Sequence, residues 1–273
     1  MRISLIGGGK VGITMLYYLK RRHRIIGVYD PDQKAQKRAA RILGVKNPLP
    51  YPLFLSMSDA VFIATPDDEI LKAYIKIKNL LKIPVYLVHF SGLLPADIFP
   101  KAKNRYRIAC HPFATFPRLI IPPPRKKYPV FIQGDPQALR SFEKVFDDDH
   151  FTTCRINKKD KKILHLMGVM VSNLLVSLVD AANELASQTP LKKARARKVI
   201  GPLIEETLKN IMKYGIRDAL SGPLKRGDIE TIRGHLKILQ KNKNRSAIYK
   251  SLSANLIRFA PADKKQRLRK LLK

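Results

Sequence analysis

The sequence has no tryptophan, only two cysteines and few acidic residues. Cys110 and Cys154 show neither CxxC spacing nor a disulfide framework, which favours a reducing compartment and gives no metal site. Residues 147–150 (Asp-Asp-Asp-His) are metal-ligand types, but four consecutive residues on a turn do not converge easily on one ion. We therefore predict a cytoplasmic protein without a metal.

Long apolar runs and targeting signals are also missing. No apolar run reaches the roughly 20 residues that a membrane-spanning helix requires. Residues 1–6 are apolar but continue directly into glycines with no cleavage region behind them, so they are typical of a strand and not of a signal peptide. We expect no membrane partner.

Acidic residues are scarce relative to basic ones. The chain has 21 Asp and Glu against 53 Lys and Arg, which gives a net charge of +32. Such a surplus can indicate nucleic-acid binding through phosphate neutralisation. Here the basic residues are spread over the whole chain, without an RNA-binding aromatic motif, zinc-finger spacing or Arg–Gly repeat. We expect no specific nucleic-acid partner, and the charge favours small anionic ligands.

The chain does contain enough apolar sequence for a globular core, because 45% of its 273 residues are hydrophobic. Short apolar runs typical of buried parallel strands alternate with helical segments up to about residue 155. The predicted strands are 2–6, 24–29, 60–64, 84–89, 107–110 and 128–132, and the predicted helices are 11–20, 31–43 and 67–81. This alternation predicts a doubly wound parallel sheet.

The rest of the chain shows helical periodicity and no convincing strand. The predicted helices are 158–187, 191–214, 228–239 and 246–259, of which the first is apolar on every side, and residues 264–273 are a basic amphipathic tail. We therefore predict an α/β protein with a sheet domain at residues 1–155 and an all-α domain for substrate binding and dimerisation at 156–273. The apolar character of the helical domain favours a homodimer.

A glycine-rich turn, Gly7-Gly8-Gly9-Lys10-Val11-Gly12, follows the first predicted strand and precedes a helix. In a GxGxxG pattern the first glycine makes the tight turn, the second lets the backbone approach a pyrophosphate, and the third lets the helix pack on the strand. The pyrophosphate then lies at the positive end of the helix. The pattern predicts a Rossmann domain that binds a nicotinamide dinucleotide.

Asp30, at the end of the second predicted strand, bears on the form of the cofactor. A carboxylate there accepts hydrogen bonds from the adenosine ribose hydroxyls and repels a 2′-phosphate, which favours NAD. Lys34, Lys37 and Arg38 follow closely, and a basic helix still tolerates NADP. We predict NAD(P)H as cofactor, with the NAD form favoured.

Five stretches of the chain resemble one group of reductases: residues 61–70 (VFIATPDDEI), 89–93 (HFSGL), 111–116 (HPFATF), 160–173 and 219–235. In this order they resemble the Rossmann-like reductases with a helical C-terminal domain, which are related to pyrroline-5-carboxylate reductase and the β-hydroxyacid dehydrogenases. One branch of the group is an alternative type of ketopantoate reductase. Asp30-Pro31-Asp32 departs from the Arg-Ser of many relatives that prefer the phosphorylated cofactor.

Several motif residues fall just past the carboxyl ends of predicted strands, where ligands lie in an open α/β sheet. The resemblance places Thr65 and Pro66 beside the nicotinamide half of the cofactor. Ser91 and the Gly92 backbone are candidates for holding a substrate carboxylate, and His111 is a further substrate-binding candidate. Ordinary turn chemistry is the alternative explanation for these Thr-Pro and Ser-Gly pairs.

A polar stripe marks the long helix that begins at residue 158. Lys161, His165, Gly168 and Ser172 are spaced by 4, 3 and 4 residues and lie on one face, with Asn173 on a neighbouring flank. Ketone reduction needs a proton donor, for which Lys or His is suitable, and an Asn can polarise the carbonyl oxygen. The resembling dehydrogenases use a lysine and an asparagine of the equivalent helix. Lys161 is therefore the first candidate acid, His165 the second, and Asn173 the orienting group.

Together these features predict an NAD(P)H-dependent oxidoreductase that reduces a small 2-oxo acid. The resemblance makes 2-dehydropantoate (ketopantoate), reduced to pantoate, the best single substrate. Two alternatives stay open: imine reduction resembling that of pyrroline-5-carboxylate reductase, and dinucleotide binding without catalysis.

Overall fold

The computed structural model describes residues 1–46, 50–81, 84–119, 127–146, 150–190 and 192–273. The acidic residues 147–149 and residue 191, the predicted start of a helix, lie outside these ranges. The strands are β1 (Arg2–Ile6), β2 (Arg24–Tyr29), β3 (Ala60–Ile63), β4 (Val85–His89), β5 (Arg105–Pro112), β6 (Tyr128–Gly134) and β7 (Phe151–Arg155). The helices are α1 (Lys10–Leu19), α2 (Gln33–Leu43), α3 (Tyr51–Ser56), α4 (Asp67–Ile77), α5 (Pro136–Phe146), α6 (Lys158–Val171), α7 (Asn173–Leu185), α8 (Lys192–Ala219), α9 (Pro223–Arg226), α10 (Ile229–Leu239), α11 (Lys243–Leu256) and α12 (Lys265–Leu271).

The strands form a single seven-stranded sheet in the order β2-β1-β3-β4-β5-β6-β7. This confirms the doubly wound sheet, with one correction: β5 and β6 are antiparallel, whereas the other neighbouring pairs are parallel. A parallel pair needs a long crossover connection, usually a helix, and the described residues between β5 and β6 form none. The chain therefore enters β6 in the opposite direction.

A hydrophobic core covers each face of the sheet, as a doubly wound fold requires. In β3, Ala60 and Phe62 belong to the core that includes residues of α1 and α5, whereas Val61 and Ile63 belong to the core beneath α3 and α4. Side chains alternate between the two faces because a strand has a period of two residues. All four residues of β3 are buried, and this explains its uninterrupted apolar sequence.

Three elements of the sheet unit were not predicted from the sequence: α3, α5 and β7. The strand β7 lies at the edge of the sheet, and Phe151 is its one buried residue, so the strand has no apolar run. Edge position also explains why Thr152 and Thr153 are tolerated there, since one side of such a strand has no neighbouring strand to bury it.

The long helix predicted at 158–187 is two helices, because the backbone leaves helical geometry at Ser172, where φ is −120° and ψ is −73°. Contacts divide the chain into two compact units, Met1–Ser172 and Asn173–Lys273. The helix α6 therefore belongs with the sheet, and this division falls later in the chain than the predicted boundary at 155/156. The reason is that polar side chains of α6 pack against turns at the sheet's carboxyl edge.

The second unit consists of helices. The long helix α8 contains one non-helical residue, Gly215, with φ of 78° and ψ of 171°, so its regular part ends at the predicted position, Tyr214. A small core forms where α10 and α12 approach the turn after α11, and its buried members include Ile232, Ile257 and Leu268.

The expectation that no stretch is long and apolar enough to cross a membrane is wrong on length and composition. Within the described ranges one stretch meets both criteria, the 28 residues Lys158–Leu185, and its most apolar window is entirely unburied. The same stretch contains α6, which is part of the compact sheet unit. Its apolar surface therefore needs an explanation that leaves α6 in contact with the sheet.

Candidate active site

The glycine-rich turn is built so tightly that side chains have no room at two of its positions. Gly7 has a φ of +97°, and a Cβ there would lie 2.8 Å from the carbonyl carbon and oxygen of Ala64. At Gly12 a Cβ would lie 2.7 Å from the Ala64 Cβ, so the absence of a side chain lets α1 pack on β3. These two glycines have the structural roles that the sequence pattern predicts for them.

Gly9 differs from its neighbours because space around it is open. It is exposed, has an ordinary extended backbone (φ −78°, ψ 173°), and a Cβ there would approach nothing closer than 3.8 Å. It is also the N-cap of α1, and no side chain among the described residues caps the helix there. The first N–H groups of α1 therefore suit an anion such as a pyrophosphate, and the open backbone at Gly9 gives that anion access.

Asp30 is joined to the glycine turn. One carboxylate oxygen accepts the Gly8 N–H at 2.7 Å, and the other accepts the Asp32 N–H at 2.8 Å. The carboxylate is thus held at the carboxyl end of β2, where the ribose of a dinucleotide is expected. On the other side of the turn, the exposed Lys10 ammonium donates to the Pro117 carbonyl at 2.7 Å.

The segment after β3 borders the same turn. A Cβ on Gly7 would lie 3.0 Å from the Thr65 backbone nitrogen, so Thr65 is in direct proximity to the cofactor loop. The Thr65 Oγ1 is buried and finds no hydrogen-bond partner within the described part of the chain. A buried hydroxyl without a partner is unfavourable, and a bound polar ligand would satisfy it. Pro66 is exposed and is the N-cap of α4.

The hydroxyl and the backbone N–H of Ser91 both form hydrogen bonds that fix the turn after β4. Its hydroxyl donates to Asp67 Oδ2 at 2.8 Å and accepts the backbone N–H groups of Leu93 and Leu94 at 3.1 and 2.9 Å. Its own N–H donates to His89 Nδ1 at 3.2 Å. A substrate carboxylate at the Ser91 hydroxyl, as the sequence predicts, therefore has to displace Asp67.

His89 is fully buried and neutral. Its Nδ1 accepts from Ser91, which places the proton on Nε2, and Nε2 donates to the Pro95 carbonyl at 3.2 Å. Burial, together with the nearby Lys161 ammonium, lowers its pKa to about 3. His89 is thus a structural hydrogen-bonding group between the two ends of the turn.

Lys161 lies beneath this turn with 1% of its surface exposed. Its Nζ donates to the Ser91 carbonyl oxygen at 2.6 Å. Burial lowers the pKa of Lys161 to about 8, although Cys110 and Asp67 act in the opposite direction. Among the described residues Lys161 has no salt-bridge partner, and a buried ammonium of this kind is more typical of a functional site than of a core.

His165 and His111 face each other over Gly92. Their rings are 5.6 Å apart in an edge-to-face arrangement, and each is partly exposed. A Cβ on Gly92 would lie 2.2 Å from His165 Nδ1 and 2.9 Å from His111 Cε1, so only glycine lets both rings approach this backbone. Burial lowers the pKa of His111 to about 4, which leaves it neutral.

The structure therefore brings together Ser91, Gly92, His111, Lys161 and His165, which the sequence predicted on separate elements. The stripe on α6 continues at Gly168, where a Cβ would lie 2.8 Å from the Phe113 ring. Asn173 is exposed, begins α7 and belongs to the second compact unit, so its catalytic role stays a prediction. Within the described ranges, no three His, Cys, Asp or Glu side chains are placed to hold a metal ion.

Sequence analysis missed two members of this cluster, Asp67 and His89. Both lie inside stretches that carry the family resemblance, at 61–70 and 89–93, and that was the available signal. Asp67 contributes a hydrogen bond to a turn from another element, and His89 contributes hydrogen bonds within the turn that follows its own strand, which neither periodicity nor spacing reveals.

The low pKa of Lys161 predicts a pH-dependent contribution to stability. Between pH 8 and the ordinary value of 10.5 the unfolded chain keeps a proton that the folded chain has lost. The destabilisation from Lys161 is thus complete below pH 8 and disappears towards pH 10.5. We expect the unfolding free energy of Lys161→Met, relative to the unaltered protein, to fall by about 3 kcal/mol across this window.

Urea unfolding measured from pH 7 to 10.5 tests this expectation. Lys162→Met is the matched control, because Lys162 is the exposed neighbour on the same helix and should show no such trend. A difference for Lys161→Met that does not change with pH would contradict it.

Comparison with known proteins bears on the fold. Residues 128–256 match the sequence profile of a family described as a domain of unknown function, DUF2520. A candidate NADP oxidoreductase of Bacteroides fragilis superposes with a TM-score of 0.76 at 21% identity, over 94% of this chain and 98% of its own. A comparison with curated protein sequences gives no significant match.

Two further solved structures are similar over nearly their whole length. An imine reductase variant of Myxococcus stipitatus in complex with NAD+ has a TM-score of 0.58 at 12% identity, covering 98% of this chain and 98% of its own. A pyrroline-5-carboxylate reductase of Coxiella burnetii has a TM-score of 0.57 at 14% identity, covering 100% and 98%. The chain thus has the fold of the NAD(P)-dependent oxidoreductases, a Rossmann domain followed by helices. The resemblance to reductases with a helical C-terminal domain is confirmed at the level of the fold.

Proposed function

We propose that this protein is an NAD(P)H-dependent reductase of a small 2-oxo acid. One observation carries the proposal: Lys161 and His165 lie against the turn after β4, at the same carboxyl edge of the sheet as the glycine turn. A cofactor site and a group able to deliver a proton are thus adjacent, as a carbonyl reduction requires.

The residues that would hold the cofactor are those of the glycine turn, with Asp30 on the ribose side and Thr65 and Pro66 towards the nicotinamide. The uncapped start of α1, the open backbone at Gly9 and the unsatisfied Thr65 hydroxyl all fit such a ligand. When bound, the reduced cofactor supplies a hydride. The Asp30 carboxylate favours the NAD form, because it would repel a 2′-phosphate.

Of the two candidate acids, we propose that His165 delivers the proton to the developing alkoxide. His165 is partly exposed beside Gly92, whereas Lys161 is almost completely buried with its ammonium on the Ser91 carbonyl. A general acid has to come within hydrogen-bond distance of the atom that it protonates. Lys161 then acts from behind the turn, as a positive charge that favours an anionic substrate. Gly92 and His111 line the substrate side.

The substrate that we propose is ketopantoate, and this choice rests on the family resemblance. The imine and pyrroline-carboxylate reductases with the same fold support the second candidate, cyclic imine reduction. Oxidation of NADH and NADPH by a panel of 2-oxo acids and cyclic imines distinguishes the two. Turnover with ketopantoate supports the proposal, whereas turnover with imines alone supports imine reduction instead. Saturable cofactor binding without any turnover supports a non-catalytic binding protein.

We also propose that the protein is a cytoplasmic homodimer formed through the helices of its second unit. Large apolar side chains are exposed on α6 of the first unit, and the second unit exposes more of them: on α7, Leu174, Val176 and Leu178, and on α8, Val199, Leu203, Leu208, Ile211, Met212, Tyr214 and Ile216. Met212 is 86% exposed. Soluble monomers rarely expose so many neighbouring apolar residues, so a second copy of the chain is the partner that we propose.

Light scattering after size exclusion tests this proposal. We expect a mass of about twice the 31.1 kDa of one chain, and a shift to monomer for the double variant Leu203→Glu/Met212→Glu. Lys250→Glu, an equal change of charge on α11, is the control and should remain dimeric. A monomeric unaltered protein, or one that sediments with neutral phosphatidylcholine vesicles, would contradict the proposal and favour a membrane role for the apolar helices.

A further inference from the structure

The carboxylate of Asp67 has no role in the proposed reaction so far. It is exposed in the first turn of α4, directly after Thr65 and Pro66 on the cofactor side of the site. The first N–H groups of a helix stabilise a negative charge in this position. Asp67 nevertheless bonds outward, to the Ser91 hydroxyl at 2.8 Å, and so connects the segment after β3 to the turn after β4.

This bond determines how the Ser91 hydroxyl is oriented. A hydroxyl has one proton, and because Asp67 accepts it, the oxygen lone pairs are available to the N–H groups of Leu93 and Leu94. The turn is thereby fixed with the Ser91 carbonyl directed at the Lys161 ammonium. Gly92, the next residue, is held against the His165 ring. A single carboxylate thus supports the position of both candidate acids.

Asp67 is charged at neutral pH, where three other titratable neighbours of Lys161 are neutral. The titratable groups near Lys161 are Asp67 on α4, His89 at the end of β4, and Cys110 and His111 on β5. Burial keeps both histidines neutral and raises the pKa of the Cys110 thiol, so that it also stays neutral. Among these groups, Asp67 is the one that carries a charge opposite to that of Lys161.

We propose that Asp67 is a positioning residue that holds the turn after β4 through Ser91 and whose negative charge stabilises the buried ammonium of Lys161. Because Asp67 directly follows Thr65 and Pro66, it links the cofactor side of the site to its proton-donating side. The inference rests on the proposed reductase function for its kinetic consequences, but its effect on Lys161 is independent of any turnover.

Substitutions separate the geometric role of Asp67 from its charge. Asp67→Asn keeps an oxygen acceptor for the Ser91 hydroxyl and removes the charge, whereas Ser91→Ala removes the connection and keeps the charge. For Asp67→Asn we expect the pKa of Lys161 to fall by about half a unit to one unit. For Ser91→Ala we expect kcat to fall about tenfold or more with a smaller change in KM, and Ser91→Thr should restore much of it.

The pKa of Lys161 can be measured by NMR titration of lysine labelled at Cε, in which Lys161 is assigned by the signal lost in Lys161→Met. Asp68→Asn is the matched control, since Asp68 is one residue along the same exposed turn and its charge acts on Lys72.

An unchanged Lys161 pKa in Asp67→Asn, or a shift equal to that in Asp68→Asn, overturns the inference. If the proposed function is wrong, the unaltered protein turns over no substrate. The NMR titration still tests the role of Asp67 in that case, because it does not depend on turnover. If Ser91→Ala does not fold, Asp67→Asn and Ser91→Thr provide the test, because both retain a hydrogen-bonding group.

Discussion

Replacing His165 by alanine is expected to lower kcat for ketopantoate reduction by about 100- to 10,000-fold, the usual contribution of a general acid. The expectation follows from the position of the ring, which is partly exposed beside Gly92 on the substrate side of the turn. Because the substitution removes a ring that is partly exposed, the fold should persist. Steady-state kinetics, circular dichroism and the KM for NADH measure the three effects separately.

Two comparisons sharpen this test. Lys162→Ala, an exposed change on the same helix, should leave kcat within a factor of about two. Added imidazole should restore part of the activity of His165→Ala, because the vacated space lies at an accessible surface. If His165→Ala retains most of its activity and Lys161→Met loses it, the proton donor is Lys161 and our assignment of the acid is wrong.

Replacing Gly9 by alanine should weaken dinucleotide binding by about 10- to 100-fold while leaving the fold intact, since each tenfold corresponds to about 1.4 kcal/mol. The backbone of Gly9 is in an extended conformation open to any residue, and a Cβ there meets nothing within 3.8 Å. The added methyl group would occupy the space through which a pyrophosphate approaches the start of α1. Calorimetric titration with NADH measures the affinity, and thermal unfolding measures the stability.

Other glycines provide the controls. Gly234→Ala, on α10 with open space around it, should leave NADH affinity unchanged. Gly7→Ala, unlike Gly9→Ala, should destabilise the fold. The φ of Gly7 is +97°, and a Cβ there would lie 2.8 Å from Ala64. Unchanged NADH affinity in Gly9→Ala would falsify the cofactor assignment and leave the glycine pattern as a structural turn.

Much of the fold could be predicted from local sequence. The strands β1 and β2 occupy the predicted residues, because buried parallel strands are short, apolar and bounded by glycine or charged residues. The direction of β6 could not be predicted, since the same apolar run suits a parallel or an antiparallel neighbour. The break at Ser172 was equally invisible, because the apolar sequence continues through it.

The candidate site shows a similar division. The spacing of Lys161, His165 and Gly168 on one helical face predicted that they would act together, and they do pack against the same edge of the sheet. The sequence did not indicate that Lys161 would be buried and His165 partly exposed. Two residues on one face of a helix differ in exposure only through what packs against each of them.

The sequence by itself determined the glycine turn, the strand–helix alternation and the polar stripe on α6, because each depends on residues a few positions apart. Only the tertiary structure decided that Asp67, Ser91 and Lys161 form one connected group, since these residues come from three elements far apart in the chain. Hydrogen bonds between such residues depend on the packing of the whole sheet unit, and no local pattern of residues specifies that packing.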